Sequence, residues 1–533
     1  MFDPALFQRS ADVRGLYPNQ INEELAWFTG RYLAQGLKSL LGTSATKVVI
    51  GRDGRLSSPA IYGALIQGLA SEGAIPIPVG LATTDMVQWA VGEELNGAQA
   101  GVMVTASHNP AEYNGIKAVV KNPQTKGLDI LRPVDHLAPR YAHDGRNGDA
   151  AHAACAVFPL QARMQLHEKF VAAALARSPR IHEAHGKIIL DPGNGVGALF
   201  RPLLHDQLKE LKASVDVMGL PAAERIDGTF PTRPSNPGLP GAVKLLQEMV
   251  VAEQAEFGAA FDGDADRVFL VDERGEFVSG SLVLAALAKR RVEQHAGQGS
   301  VVYSAVSSWI VPETIRRAGG RPILCRVGQD AVKVALIKRQ AIFGGESSAH
   351  YNFPDAYCLD SGLFAMVTFW DMLLESQQSC SQLLGTFPLW PNSGEVNLKV
   401  DCGDWRSMSA RVISTLKEEY SAASANSYAL DIDGISVFYP RVPEYPTVDD
   451  VFQIDMDGDP EGKTYREVQN YTPEWWFNVR ASNNEPLLRI NFESRSAGDV
   501  AGRTAALIDR IRGICGSEAR ISVQDWGSLT PQR

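Results

Sequence analysis

Short β-branched runs alternate with amphipathic stretches up to about residue 388, and one layout occurs three times. Each copy opens on a strand-like run, KVVIG at 47, KIILD at 187 and SVVYS at 300, whose Val and Ile suit a buried, pleated surface. A turn follows, and then apolar residues at helical spacing in SPAIYGALIQGLASEG, ALFRPLLHDQLKEL and SWIVPETIRRAG. Each helix leads to a second strand: IPIPV, SVDVM and PILCRV. This alternation predicts three consecutive similar α/β domains with mixed, largely parallel sheets. Later strands end in polar loops, GVMVTASHNP, FGAAFDGDADR and AIFGGESSAH. Ligand groups of α/β sheets gather at the carboxyl ends of strands, so the three loops are expected to face one central cleft.

Beyond residue 388 the texture changes to FPLWPNSGEVNLKV, a helical stretch near 407 to 420, DIDGISVFYP and WWFNVRASNNEPLLRINFESR, the pattern of a smaller C-terminal α+β domain. The expected boundaries are 1–156, 157–274, 275–388 and 389–533. Two polar excursions interrupt this plan, one near 121–156 and one near 444–469, the second acidic and punctuated by Gly and Pro. The 533 residues and 45% apolar content supply several ordinary cores. A net charge of −10 argues against a dominant nucleic-acid or anionic-membrane surface, while leaving room for a basic cleft that takes small anions. The six cysteines form no CxxC pair, and neither a signal-like N-terminus nor a membrane-length apolar run is present, so a soluble, cytoplasmic chain with reduced thiols is expected.

Against that background a few loops carry chemistry. Ser107 in TASHNP is a candidate nucleophile, and Asp262, Asp264 and Asp266 are spaced to close on one hard divalent cation. An EF-hand fails because Arg267 occupies the position that needs Gly, and VFLVD follows as a strand; a magnesium site suits the spacing, and a solvated acidic turn is the plain alternative. DPGNGVGA at 191 to 198 matches GxGxxA, but Asp216 lies inside the next strand and not at its end; GDPEGKT at 458 is one residue short of a Walker loop, so neither nucleotide site is expected. RASNNEP at 480 supplies Arg480, Ser482, Asn483 and Asn484, a cradle for a phosphate dianion or an Asn-rich capping turn. In GESSAH, Glu346 and Ser348 can bond vicinal sugar hydroxyls and His350 can exchange protons near neutral pH, or the loop is simply a satisfied turn.

With DVRG at 12, GRDGRLSSP at 51, TASHNP at 105, YNGIK at 113, DGTFP at 227, DGDADR at 262, GESSAH at 345 and RASNNEP at 480 in this order, the chain resembles the α-D-phosphohexomutase family, most closely its bacterial phosphomannomutases. The resemblance spans nearly the whole chain. It implies four domains around a cleft, a phosphorylated Ser107, and Mg²⁺ held by Asp262, Asp264, Asp266 and the serine phosphate. It makes Arg14, Lys117 and Arg267 active-site residues, His108 a substrate contact, GESSAH the sugar-recognition loop and RASNNEP the loop for the substrate's phosphate. Lys117 and His350 are then the candidates for proton transfer. The implied activity is conversion of mannose 6-phosphate and mannose 1-phosphate through a hexose 1,6-bisphosphate. A glucose-preferring or dual-specificity mutase and a non-catalytic sugar-phosphate-binding protein are the alternatives. Small-molecule sugar phosphates are the implied partners, without nucleic acid or membrane, and the chain would act as a monomer or homodimer. Two positions depart from the family pattern: Asn484 where Thr is common, and Asp85 where Pro is common.

Overall fold

The β-branched runs become central strands with a parallel neighbour on each side, and in the first two sheets the strand before the polar loop lies antiparallel to the strand after it. The computed structural model describes residues 12–43, 45–122, 127–131, 160–422, 426–440, 449–453, 463–467, 472–482 and 485–525. It divides into two bodies, one of Met1–Phe277 with His350–Leu383 and the other of Val278–Ala349 with Leu384–Arg533.

In the first body, Lys47–Arg52 lies parallel to both Ile75–Leu81 and Ala100–Val104, and Val48, Val49 and Ile50 are fully buried between the layers. Ala100–Val104 then runs antiparallel to Tyr113–Lys121, so TASHNP is the connection between two adjacent strands. Val13–Leu16 pairs antiparallel on the far side of Tyr113–Lys121, which brings Arg14 opposite Gly115, two residues from Lys117. The helix Glu23–Leu41 starts on Asn22, whose side chain accepts from Leu25 N, carries Glu23 and Glu24 where the helix dipole favours anions, and ends on Gly42 at φ +69°. It crosses Ser58–Ser71 in backbone contact: a Cβ on Gly68 would lie 2.0 Å from Trp27 O.

A second sheet in this body places His185–Asp191 parallel to Ser214–Gly219 and to Phe257–Phe261. Phe257–Phe261 pairs antiparallel with Val268–Asp272, so DGDADR is the turn between two buried strands. The helix Gly362–Ser376, started by Ser361 accepting from Phe364 N, fits its aromatic face here, with Phe364 stacked on Phe170 at 5.3 Å and Trp370 edge-on to Phe257 at 5.9 Å.

The second body holds the third α/β sheet, in which Ser300–Ser304 is parallel to Arg321–Cys325 and to Phe343–Gly345. Its C-terminal sheet is antiparallel in the order Tyr428–Leu430, Ile435–Tyr439, Trp475–Ala481, Leu487–Ser494, Asn392–Asp401, Arg520–Asp525. Trp405–Ser421 and Ala497–Cys515 supply helical cover, with Val412, Leu416, Ile508 and Ile511 packed on Val479 and Ile490. Of the polar excursion near 444–469, Asp449–Gln453 and Lys463–Glu467 pair with each other, and the first adds parallel to Arg321–Cys325. These strands therefore extend the third sheet and not the C-terminal one. Most of the excursion near 121–156 lies outside the described residues.

Candidate active site

Ser107 is held in an unusual backbone geometry at the turn after Ala100–Val104. Its φ is +52°, its N–H donates to Thr105 Oγ1 at 2.8 Å, and its hydroxyl donates to Asp262 Oδ2 at 3.0 Å, with only 1% of the residue exposed. The acidic turn can come this close because residue 263 is glycine; a Cβ there would meet Ser107 O at 2.7 Å. Thr84 reinforces the approach, its hydroxyl donating to Asp264 Oδ2 at 2.5 Å and its N–H to Asp264 O at 3.1 Å.

Asp262, Asp264 and Asp266 are buried and each can offer a carboxylate oxygen, all lying within 4.8 Å of one another. Lys117 Nζ donates to Oδ2 of both Asp264 and Asp266 at 2.8 Å, while Oδ1 of both residues is buried without a hydrogen-bond partner. Burial, with Asp266 and Asp264 adding to it, pushes Asp262 well above the ordinary carboxylate range. Burial acts in the same direction on Asp264, but Lys117 outweighs it and keeps that carboxyl below its usual value. Two orphaned oxygens, a third carboxylate and the Ser107 hydroxyl form a hard, all-oxygen donor set, so these residues fit a divalent metal ion. For Lys117 burial opposes charge, yet Asp264 and Asp266 prevail and hold it as ammonium.

Cationic groups surround the serine on its other side. Arg14 Nη1 donates to Asn109 Oδ1 at 2.7 Å and its guanidinium pairs with Asp12. Arg267 Nε lies 3.5 Å from Asp262 Oδ2, and its Nη2 donates to His108 Nδ1 at 2.8 Å. A guanidinium can only donate, so His108 presents a lone pair at Nδ1 and carries its proton at Nε2. Burial, then Arg267 and Arg14, hold His108 well below its usual pKa, which keeps it neutral. His350 bridges backbone to backbone with Arg267, and its Nδ1 stands 3.2 Å from Asp360 Oδ2 and 3.8 Å from Asp266 Oδ1.

Nine of the sequence-derived residues thus meet in the first body: Arg14, Ser107, His108, Lys117, Asp262, Asp264, Asp266, Arg267 and His350. Glu346, Ser348, Arg480 and Ser482 belong to the second, so GESSAH is divided between the bodies at His350. Glu346 is 3% exposed; its Oε1 accepts from Gly328 N at 2.8 Å and its Oε2 from Gln329 Nε2 at 2.7 Å, leaving one further lone pair on each oxygen. Arg480 Nη2 donates to Glu395 Oε2 at 3.1 Å, and its Nε is buried without a hydrogen-bond partner. Ser482 N donates to Leu487 O at 2.8 Å; Asn483 and Asn484 lie outside the described residues.

Thr84, Asn109 and Asp360 also belong to the site and carry no signal of their own in the sequence, because they touch it only after folding. Asp85 also acquires a place: fully buried, it accepts from Met86 N at 2.9 Å and from Ser361 Oγ at 2.5 Å, joining the starts of two helices. A Pro at this position would offer neither bond.

Among the described residues no helix is long and apolar enough to cross a membrane. The chain matches phosphoglucomutase/phosphomannomutase alpha/beta/alpha domain I over residues 6–131, domain II over 168–275, domain III over 279–389, and the C-terminal domain over 467–510. It is 30% identical over 495 residues to the phosphomannomutase of Salmonella montevideo, covering 92% of this chain and 95% of that protein. It is 32% identical over 512 residues to the phosphohexose mutases of Xanthomonas campestris pv. campestris, covering 95% of this chain and 99% of that one. In fold it is similar to a phosphoglucomutase/phosphomannomutase family protein of Burkholderia thailandensis, with a TM-score of 0.74 at 23% identity over 98% of this chain and 100% of that one. Three α/β domains followed by a C-terminal domain, with a serine set against an acidic turn, accordingly belong to an isomerase: the chain is a member of the phosphoglucomutase/phosphomannomutase family of α-D-phosphohexomutases.

Proposed function

We propose that this phosphohexomutase interconverts mannose 6-phosphate and mannose 1-phosphate through a phosphorylated Ser107 and a mannose 1,6-bisphosphate. The observation that carries the reading is the 3.0 Å contact between Ser107 Oγ and Asp262 Oδ2 within the buried acidic turn. The sugar's free hydroxyl oxygen bonds to the phosphorus as the bond from phosphorus to Ser107 Oγ breaks; the hydroxyl proton leaves to a base and Oγ recovers a proton. After the bisphosphate turns end for end, Oγ gives up its proton as it bonds to the other phosphorus, the bond from that phosphorus to the sugar oxygen breaks, and the released sugar oxygen takes up a proton.

Phosphoryl transfer depends on positioning and charge neutralisation more than on covalent help. Mg²⁺ on Asp262, Asp264 and Asp266 would, when bound, neutralise charge on the transferred group. Arg267 supplies a fixed cation beside Asp262, and the neutral His108 offers its Nε2–H as a donor. In the arrangement described Lys117 is an ammonium, which suits it to proton donation. His350 turns Nδ1 toward Asp360 and Asp266, leaving Nε2 as its acceptor for the hydroxyl proton. Glu346 and Ser348 would read the 3- and 4-hydroxyls, and Arg480, Ser482, Asn483 and Asn484 the phosphate that is not reacting.

The domain boundaries given above, a cytoplasmic location and action as monomer or homodimer belong to the same proposal. A dual-specificity reading is favoured by the likeness to phosphohexose mutases. Rates measured side by side on mannose 1-phosphate, glucose 1-phosphate and glucosamine 1-phosphate test the assignment. Fastest turnover of mannose 1-phosphate supports it, equal rates for mannose and glucose replace it by the dual reading, and binding without turnover of any would remove it.

A further inference from the structure

The motif GRDGRLSSP has no part in the chemistry above, yet its Arg55 is wholly buried beneath the loop that carries Ser107. One guanidinium serves four carbonyls of that segment: Nη2 donates to Ser107 O at 2.8 Å and Asn109 O at 2.7 Å, and Nη1 to Tyr113 O at 3.1 Å and to Pro110 O. Asp53, also fully buried, accepts from Arg55 Nε at 3.0 Å and from Ser58 Oγ at 2.5 Å, and the Thr105 hydroxyl bonds to it as well. Thr105 Oγ1 in turn accepts from Ser107 N at 2.8 Å. One buried ion pair therefore ties both sides of Ser107, the N–H through Thr105 and the C=O through Arg55. Residues with a side chain seldom sit at φ +52° unless their surroundings fix them there. The DGTFP segment completes the enclosure: Phe230 lies under the guanidinium at 5.1 Å, and Gly228 lets the backbones meet, since a Cβ there would be 2.5 Å from Arg55 Cα.

We propose that Arg55 is the positioning residue of the nucleophile, its planar fork fixing the Ser107 peptide so that Oγ points at the acidic turn. A lysine keeps the charge but cannot serve four carbonyls in one plane. The inference rests on Ser107 being the group that is phosphorylated. Arg233 offers a control, because it makes an equivalent buried fork under the acidic turn, donating to Asp191 Oδ2 at 2.7 Å, Asp191 O at 3.1 Å and Phe261 O at 2.6 Å.

The test is rapid-quench transfer from glucose 1,6-bisphosphate to dephosphorylated enzyme with Mg²⁺, read as phosphate on Ser107 by mass, beside calorimetric titrations of glucose 1-phosphate and Mg²⁺. Arg55→Lys is expected to slow transfer on the order of a hundredfold, the effect of a small misalignment of reacting atoms, with both affinities unchanged. Arg233→Lys, by contrast, is expected to weaken Mg²⁺ binding. Should Arg55→Lys fail to fold, the near-isosteric Thr105→Val, which cuts only the N–H side, carries the test and is expected to slow the same step. Wild-type transfer rates in the folded variant, or a slowing matched by an equal loss of sugar-phosphate affinity, would overturn the proposal. Wild-type enzyme that takes no phosphate, or Ser107→Ala that does, removes the phosphoserine reading itself, and Arg55's role with it.

Discussion

Glu493 stands at the base of the strand pair that carries Arg480, and replacing it with Gln separates charge from packing in the second body. Its Oε2 accepts from Trp309 N at 2.8 Å and from Trp476 Nε1 at 2.6 Å, so one carboxylate ties the start of the helix Ile310–Arg317 to the C-terminal sheet. Burial raises its pKa from 4.5 to about 7, against the hydrogen bonds from Trp309, Ser308 and Trp476, which favour the anion. Because the folded pKa is the higher one, the stabilisation is fully present below the unfolded value and is lost as pH rises through about 7. At about 1.4 kcal/mol per pH unit, the loss between about pH 5 and about pH 8 amounts to about 3 kcal/mol. Gln keeps an acceptor for both Trp donors but does not titrate. The stability of Glu493→Gln relative to wild type is therefore expected to improve by about 3 kcal/mol over that interval. Urea denaturation followed by tryptophan fluorescence measures it directly. A gap between the two proteins that stays constant across the interval would mean that Glu493 does not titrate there with a raised pKa.

Three further outcomes bear on the site. Asp264→Asn, which replaces a charged oxygen of the proposed metal site and weakens the hold on Lys117, should raise the Mg²⁺ concentration needed for activity, and chelator should silence the wild type reversibly; full activity after metal removal would contradict this. Arg480→Ala should raise the Michaelis constant for both 1-phosphate and 6-phosphate sugars by about ten- to a hundredfold, the worth of a charge-assisted contact, and an effect on one substrate alone would mean that the loop does not serve both orientations. Glu346→Gln should depress mannose and glucose phosphates in similar proportion, with galactose 1-phosphate poor throughout because its inverted 4-hydroxyl leaves a buried partner unpaired at about 1 to 3 kcal/mol. Galactose 1-phosphate turnover equal to that of mannose 1-phosphate in the wild type would end the hydroxyl-reading role of this loop.

The central strands were legible because β-branching is local: KVVIG, KIILD and SVVYS all lie within observed strands, and VFLVD is the strand Val268–Asp272; helices outside the repeated layout, among them Glu23–Leu41, Gly362–Ser376 and Ala497–Cys515, were not. Ends were less legible where tertiary contacts decide. SWIVPETIRRAG yields a helix only from Ile310 to Arg317, because Trp309 N is taken by Glu493 and the chain turns at Gly319, φ +92°. PILCRV stops as a strand at Cys325 ahead of Gly328, φ +121°. The acidic turn and the serine loop announced themselves by spacing. Thr84, Asn109, Asp360 and Arg55 did not, since a Thr before a helix or an Arg in a Gly turn looks ordinary until folding brings it to Asp264 or Ser107. The acidic excursion near 444–469 shows only charge, Gly and Pro in sequence, and the strand Asp449–Gln453 within it depends on pairing with Lys463–Glu467 and with Arg321–Cys325, the latter far away in sequence.

Phosphorylation of Ser107 is tested most directly by turnover of mannose 1-phosphate by Ser107→Ala with a hexose 1,6-bisphosphate supplied, beside phosphopeptide mapping of the wild type. A single phosphate on Ser107 is expected in the wild type, and in the variant near-complete loss of turnover with sugar-phosphate binding retained. Turnover near the wild-type rate in Ser107→Ala, or a phosphate mapped to another residue, would contradict it.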